Sequence, residues 1–455
     1  MKKCTEHPKP AVKVGVLFLR RKRPGFLPEW GEIIEKQVKA CLKTVPFEIY
    51  FPAENIVDST SLMSVMKECN GQGCDVYVVI QPTMADGRMS PVLAQMSKAP
   101  VVLWATPEKQ DGSMISSCSL VGAHTFASNL AQSNHPFNFV YGSPEDKKTV
   151  EALEEAVYRS YAQLKLTGAY VGMVGYHAPG FIDMHMDPAT LSTIDMELMH
   201  IGMHEFIDSV YAVSDEDAKK DLKKVQALGL EVTDDITEDD LLLASRYYLA
   251  MKALMDNMPL QALSVRDWPE LSAKQWPYLA MARLATEGYA ISCEGDGDGA
   301  ICCLAAYLSG CGAAYLSDWL EHDEHHITLW HGGAAPLQMC QGLDSKIPPN
   351  IGRHFNVRNP AVVNASLKED MPITVFRIWH LNGQYFCSAI EGRTVKPKRN
   401  LKGTNGLGFF PDTNINDYFV RMIKMGYSHH PIVVEGHKKD HFRLLTESMG
   451  MIFVD

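Results

Sequence analysis

The sequence predicts an α/β protein: two tandem doubly wound α/β domains followed by a smaller β-rich, barrel-like C-terminal domain. Three observations predict it. Short runs of branched apolar residues alternate with amphipathic helical stretches from residue 13 to about 165. A second series in the same style begins near 169. After about residue 345 prolines cluster and the pattern turns to strands. These changes place domain boundaries at 1–167, 168–345 and 346–455, in keeping with a chain of 455 residues that exceeds one ordinary core.

In the first series, KVGVLFL (13–19), FEIYFP (47–52), DVYVVIQP (75–82), APVVLWAT (99–106) and FNFVYG (138–143) read as strands. Helical spacing appears at 30–45 and again at 145–164. In the second series, 169–181 reads as a strand and turn, 206–213 as a strand, and 215–228 and 235–258 as helices. A strand at 261–268, a helix around 272–287 and a helix at 299–309 follow. Residues 373–395 read as a hairpin turning at Asn382-Gly383, a dipeptide suited to two successive positive φ angles.

Composition narrows the function. The net charge of −11 argues against a nucleic-acid partner, which needs a basic field. No apolar run approaches the ~18 residues of a membrane span. The N-terminal VGVLFL is followed at once by charge, as a strand would be rather than a signal peptide, so a cytoplasmic protein is expected. The eleven cysteines show no CxxC pair, which fits free thiols in a reducing compartment.

The stretch ISCEGDGDGAICCL (291–304) carries three Gly-spaced acids between apolar runs. An EF-hand frame starting at Glu294 puts Gly299 sixth, but Ala305 then falls where a bidentate Glu is required. Asp296 and Asp298 read as a solvated loop capping the following helix. Glu294 instead follows a strand directly, and strand C-terminal tips are where ligands bind in open α/β sheets. Asp318 ends the next strand-like run, AAYLSD. Two carboxylates at adjacent strand tips repel unless a cation or a shared proton lies between them.

Ten of the seventeen histidines lie between 322 and 441. His322, His325 and His326 read as a solvated turn, and His354 and His380 have no evident partner. The doublet His429-His430 leads into PIVVEGH, placing His430 at a strand start and His437 at its end. Two carboxylates and one imidazole make an oxygen-rich site that favours Mn²⁺ or Mg²⁺ over Zn²⁺, with Co²⁺ a further candidate.

The motifs VGYHAPGF (174–181), SVRDWPEL (264–271), SCEGDGDGA (292–300), LSDW (316–319), TLWHGGAAP (328–336) and HHPIVVEGH (429–437), in this order, resemble the L-fucose/L-arabinose isomerase family of sugar ketol-isomerases. That family has two α/β domains and a β-rich C-terminal domain. The resemblance implies metal-dependent aldose–ketose isomerisation, with Glu294 and Asp318 as acidic ligands and acid/base pair and His430 as the third ligand. His331 falls where arabinose isomerases carry a further histidine ligand and fucose isomerases do not. The resemblance also implies a homo-oligomer, a trimer or hexamer, with active sites at subunit contacts. Fucose-type and arabinose-type sugars and anionic hexoses such as sulfoquinovose all stay open as substrates.

The chemistry needs these groups. One carboxylate must move a proton between C2 and C1 while its partner relays protons between the oxygens, and a divalent ion stabilises the enediolate as a Lewis acid. Trp319 and Trp330 read either as core or as an apolar wall for a sugar face, and His437 is a further sugar-contacting candidate. The basic cluster LRRKRPGF (19–26), with Arg20, Arg21 and Arg23, reads either as a solvated or salt-bridged turn or as a grip for an anionic sugar substituent. Two rival readings remain: a non-catalytic sugar-binding or sensor protein of tandem α/β architecture, and a structural Ca²⁺ site at the Gly-spaced acids.

Overall fold

The computed structural model describes residues 7–21, 25–271, 276–356 and 361–455. The chain divides into two compact units: Pro10–Lys165, and Leu166–Asp455 together with the N-terminal residues up to Lys9. In the second of these, His7 Nε2 lies 2.8 Å from Glu435 Oε2 and ties the N-terminal stretch down.

The first unit holds a five-stranded, wholly parallel sheet of β1 (Lys13–Phe18), β2 (Glu48–Tyr50), β3 (Val76–Ile80), β4 (Val101–Ala105) and β5 (Phe137–Tyr141), in the order β2-β1-β3-β4-β5. Helices α1 (Pro28–Cys41), α2 (Ser59–Gly71), α3 (Ser90–Met96) and α4 (Ser119–Gln132) make the crossovers, and α5 (Lys147–Leu166) follows β5. Every residue of β3 and β4 is buried, so both pleat faces are covered and no polar alternation survives in the sequence.

The second unit begins with another parallel sheet. It contains β6 (Tyr170–Val174), β7 (Glu197–Ile201), β9 (Leu260–Val265) and β10 (Ala290–Ser292) in the order β10-β9-β6-β7. Between them run α6 (Pro188–Leu191), α7 (Met203–Ala212), α8 (Asp215–Gln226), the short strand β8 (Glu231–Val232), α9 (Glu238–Asn257) and α10 (Tyr278–Thr286). The stretch expected as a strand at 206–213 is helical: Phe206 and Val210, one turn apart, are its buried residues. Helix α11 (Gly297–Leu308) follows β10 and is buried along nearly its whole length.

A mixed sheet of eleven strands completes this unit. Its members are β8, β11 (Tyr315–Leu316), β12 (Asp318–His322), β13 (His326–His331), β14 (Asn350–Gly352), β15 (Val362–Ser366), β16 (Pro372–Leu381), β17 (Gln384–Val395), β18 (Thr404–Phe409), β19 (Ile432–Glu435) and β20 (Ile452–Phe453). Helices α12 (Ile415–Lys424) and α13 (Lys439–Ser448) flank β19 in sequence. The hairpin β16–β17 turns at Asn382 and Gly383, both at positive φ, as read from the sequence. The expectation that Asp318 sits on a strand adjacent to that of Glu294 is corrected. β11 pairs antiparallel with β19 in the mixed sheet, not with β10 in the parallel one. The run AAYLSD is too short and too buried for its local pattern to show which sheet it joins.

The ten cysteines among the described residues are free thiols. Among the described residues no helix is long and apolar enough to cross a membrane.

Candidate active site

Local structure aims Glu294 first. After β10 the chain turns sharply, with Glu294 at φ 59° and Gly295 at φ 76°. Only a glycine fits at 295, because a Cβ there would lie 2.1 Å from the Tyr176 carbonyl oxygen. The Glu294 N–H donates to Asp267 Oδ1 at 2.9 Å, and its carbonyl accepts from Ala178 N–H at 2.8 Å. A left-handed non-glycine residue held from both sides of its peptide is costly and points to function.

Backbone pairing then brings the other two residues together. The antiparallel register of β11 with β19 continues past both strands: Ser317 N–H donates to Pro431 O at 3.0 Å, and Trp319 N–H to His429 O at 3.2 Å. Asp318 therefore lies across from His430. The His430 Nε2 atom is 3.5 Å from Asp318 Oδ1 and 3.5 Å from Glu294 Oε2. His430 is fully buried, and its Nε2 has no hydrogen-bond partner. A buried ring nitrogen left unpaired beside two carboxylates is what a cation site would leave, and two sets of side chains that share His430, namely Glu294 with His331 and Asp318 with His429, each bring one ligand atom per residue within 4.8 Å of one another.

Asp296 and Asp298 are not solvated. Asp296 does cap α11, accepting from Gly299 N–H at 2.9 Å, but it is fully buried and receives both terminal nitrogens of Arg377 at 2.6 Å. Its carboxyl is held far below the usual range; burial opposes this, and the Arg377 charge and the His430 hydrogen bond outweigh it. Asp298 is buried as well, 2.8 Å from His380 Nδ1, and accepts from Tyr385 O–H at 3.1 Å. The partners of these acids lie more than eighty residues away on β16 and β17, so nothing nearby in the chain announced them. Asp296 spends its oxygens on Arg377, His430 and Gly299, and Asp298 on His380 and Tyr385, while Glu294 faces His429 and His430.

A pocket of about 470 Å³ opens beside Glu294 and Asp318. Trp268, Trp276, Trp330, Phe181 and Phe355 contribute aromatic walls, and His331 and His429 reach it from the polar side. His331 is buried, 3.4 Å from Cys293 Sγ through Nε2, while its Nδ1 accepts the Gly332 N–H at 2.8 Å. With Nδ1 accepting, the Nε2 hydrogen faces Cys293 Sγ. Burial lowers its pKa.

Among the other sequence candidates, Trp330 lines the pocket and donates from Nε1 to Lys402 O at 2.8 Å. Trp319 instead stacks on Tyr418 and packs against the core of the mixed sheet. His437 bonds through Nε2 to Gly392 O at 3.0 Å and is not among the lining residues. In the first unit, Arg20 pairs with Glu35, and Arg21 lies 5.4 Å over the Phe26 ring. Arg23 lies outside the described residues.

Sequence reasoning passed over several residues in and beside the pocket. His429, first of the doublet, has Nδ1 at 2.7 Å from Asp183 Oδ2 and Nε2 at 3.8 Å from Glu294 Oε2. Burial disfavours its charge, but the hydrogen bond to Asp183 and the nearby Glu294 carboxylate win and push its pKa up to about 10. Asp267 is fully buried at the tip of β9, where burial and the Glu294 charge push its carboxyl up to about 7. Asp267 and Trp268 stand in the SVRDW run; the rule of strand tips, applied to β9 as it was to β10, would have found them.

With this geometry in hand, similarity to known proteins becomes informative. The chain is 24% identical over 448 residues to the sulfoquinovose isomerase of Priestia aryabhattai, covering 96% of this chain and 98% of that one. The sulfoquinovose isomerase of Alkalicoccus urumqiensis is 24% identical over 399 residues, covering 86% and 87%. The chain is an isomerase, an intramolecular oxidoreductase. A shorter stretch of 158 residues is 25% identical to the L-arabinose isomerase of Mannheimia succiniciproducens, covering 32% of this chain and 31% of that one. These relatives support the coarser expectation that the isomerase acts on a sugar. No family model matches. An ABC-transporter solute-binding protein from Burkholderia multivorans aligns over 66% of this chain and 92% of its own with a TM-score of 0.20 and 13% identity, which carries no argument.

Proposed function

We propose that this isomerase interconverts an aldose and a ketose by metal-dependent proton transfer through an enediol(ate), with Glu294, Asp318 and His430 as the ligands. One observation carries the reading: the buried, unpartnered His430 Nε2 stands 3.5 Å from one oxygen of each acid. A divalent ion held there supplies Lewis-acid polarisation of the sugar's two neighbouring oxygens.

The chain's own groups do the rest. Of the two acids, one takes the proton from the carbon next to the carbonyl and returns it one atom along, and the other relays the proton between the oxygens. The left-handed turn at Glu294 and the β11–β19 register at Asp318 hold these carboxylates at fixed positions, which is what makes a base effective. His331 and Trp330 line the pocket wall, and the face of Trp330 excludes water from one side.

The names of the relatives favour a sulfonated hexose such as sulfoquinovose over a fucose- or arabinose-type sugar. The test is a screen of aldoses with Mn²⁺, Co²⁺ and Mg²⁺, including neutral and sulfonated hexoses, scored by ketose formation. Ketose from the sulfonated hexose alone supports the full proposal. Turnover only of neutral sugars overturns the substrate, and turnover undiminished by chelator overturns the metal.

A further inference from the structure

We infer that Asp296 is a positioning residue for the metal site: it pins His430 in the tautomer whose Nε2 lone pair faces Glu294 and Asp318. The inference rests on the metal-dependent reading above.

Asp296 Oδ2 lies 3.0 Å from His430 Nδ1. Arg377 Nη1 donates to Oδ2 and Nη2 to Oδ1, each at 2.6 Å, and Gly299 N–H donates to Oδ1 at 2.9 Å. Asp296, Arg377 and His430 are all 0% exposed. Every group that Arg377 and Gly299 present to this carboxylate is a donor, so Asp296 is an acceptor only, and the hydrogen between it and His430 must sit on Nδ1. A ligating imidazole is neutral and carries one N–H, so with Nδ1 holding that hydrogen the lone pair offered to an ion is on Nε2, the atom 3.5 Å from one oxygen each of Glu294 and Asp318.

Arg377 does more than neutralise Asp296. Its two-pronged contact stops the carboxylate from rotating, and Nη1 also reaches the His430 carbonyl at 3.1 Å. Asp296 itself stands two residues beyond Glu294, with its N–H on Cys293 O at 3.0 Å and its carbonyl receiving Ser292 Oγ–H at 2.6 Å. One clamp thus fixes the turn that carries Glu294 and the ring of His430. Burying a full ion pair is a poor device for stability, since desolvation consumes most of the attraction. Orienting a ligand is a use that justifies it.

The experiment compares Asp296→Asn with wild type by equilibrium dialysis of the chelator-stripped protein against Mn²⁺. An amide has one acceptor oxygen where four donors need two, and it lacks the charge that supports Nδ1–H. Mn²⁺ affinity is expected to fall about 10- to 100-fold. Asp298→Asn, which alters a neighbouring buried acid that does not touch His430, is expected to stay within about twofold. A folded Asp296→Asn protein with wild-type Mn²⁺ affinity overturns the inference, as does an equal loss in Asp298→Asn. Should Asp296→Asn fail to fold, ¹⁵N chemical shifts of the metal-free wild type decide, with the His430 signal assigned by its loss in His430→Gln. A hydrogen on Nδ1 supports the inference, and a ring whose Nδ1 carries none overturns it. A wild type that binds no divalent ion defeats the metal reading instead, and the tautomer measurement still tests Asp296 by itself.

Discussion

Asp318 and His430 face each other because Ser317 and Trp319 donate backbone hydrogen bonds to Pro431 and His429, which leaves Asp318 Oδ1 3.5 Å from His430 Nε2. Backbone pairing between β11 and β19, rather than side-chain reach, sets this distance. The site is therefore as rigid as the sheet that carries it, and the predictions follow from that.

Glu294→Gln and Asp318→Asn keep shape and remove the base. Each is expected to lower kcat by about 10² to 10⁴ while far-UV circular dichroism stays unchanged. Losses below tenfold in both would remove the acids from the chemistry.

Metal removal should abolish ketose formation, and Mn²⁺ should restore it. An ion that binds only the folded site would also raise stability, by about 2.7 kcal/mol at a free concentration a hundred times Kd. Differential scanning calorimetry with and without Mn²⁺ checks this.

Gly295→Ala should disable the enzyme without touching a reacting group. The new Cβ would meet the Tyr176 carbonyl oxygen at 2.1 Å, and φ 76° is unfavourable for alanine in any case. A loss of about 1–3 kcal/mol in urea unfolding and a misplaced Glu294 are expected, so kcat should fall more than the change in folded fraction explains.

Arg283→Met tests packing away from the site. Arg283 makes paired bonds to Asp221 at 2.6 and 2.8 Å, both residues are buried, and the guanidinium lies 3.7 Å over the Tyr248 ring. Leaving Asp221 unpaired is expected to cost about 3–5 kcal/mol in urea unfolding, with kcat unchanged where the protein stays folded.

Glu108 gives the first unit an acid-sensitive clamp. It accepts from the N–H groups of Ser116, Ser117 and Cys118 and from both serine hydroxyls. Burial opposes its charge, yet these bonds lower its pKa to about 2. A carboxyl with a depressed folded value contributes stability above its unfolded value, about 4.3, and loses it as pH falls toward 2. Glu108→Gln should therefore destabilise the unit at pH 7 and much less at pH 3, read from urea midpoints at both.

Local pattern by itself determined a good deal of this protein. The β–α alternation, the Asn382-Gly383 hairpin and the turn that exposes Glu294 at a strand tip depend on neighbours in sequence, and apolar period and turn chemistry report those directly. Only the tertiary structure decided the rest. Whether 206–213 coils or extends, which sheet takes the strand beside Asp318, and whether Asp296 meets water or Arg377 depend on partners brought from elsewhere in the chain. A carboxylate looks the same in sequence whether solvated or clamped. Its energy is set by what surrounds it, and the fold supplies those surroundings.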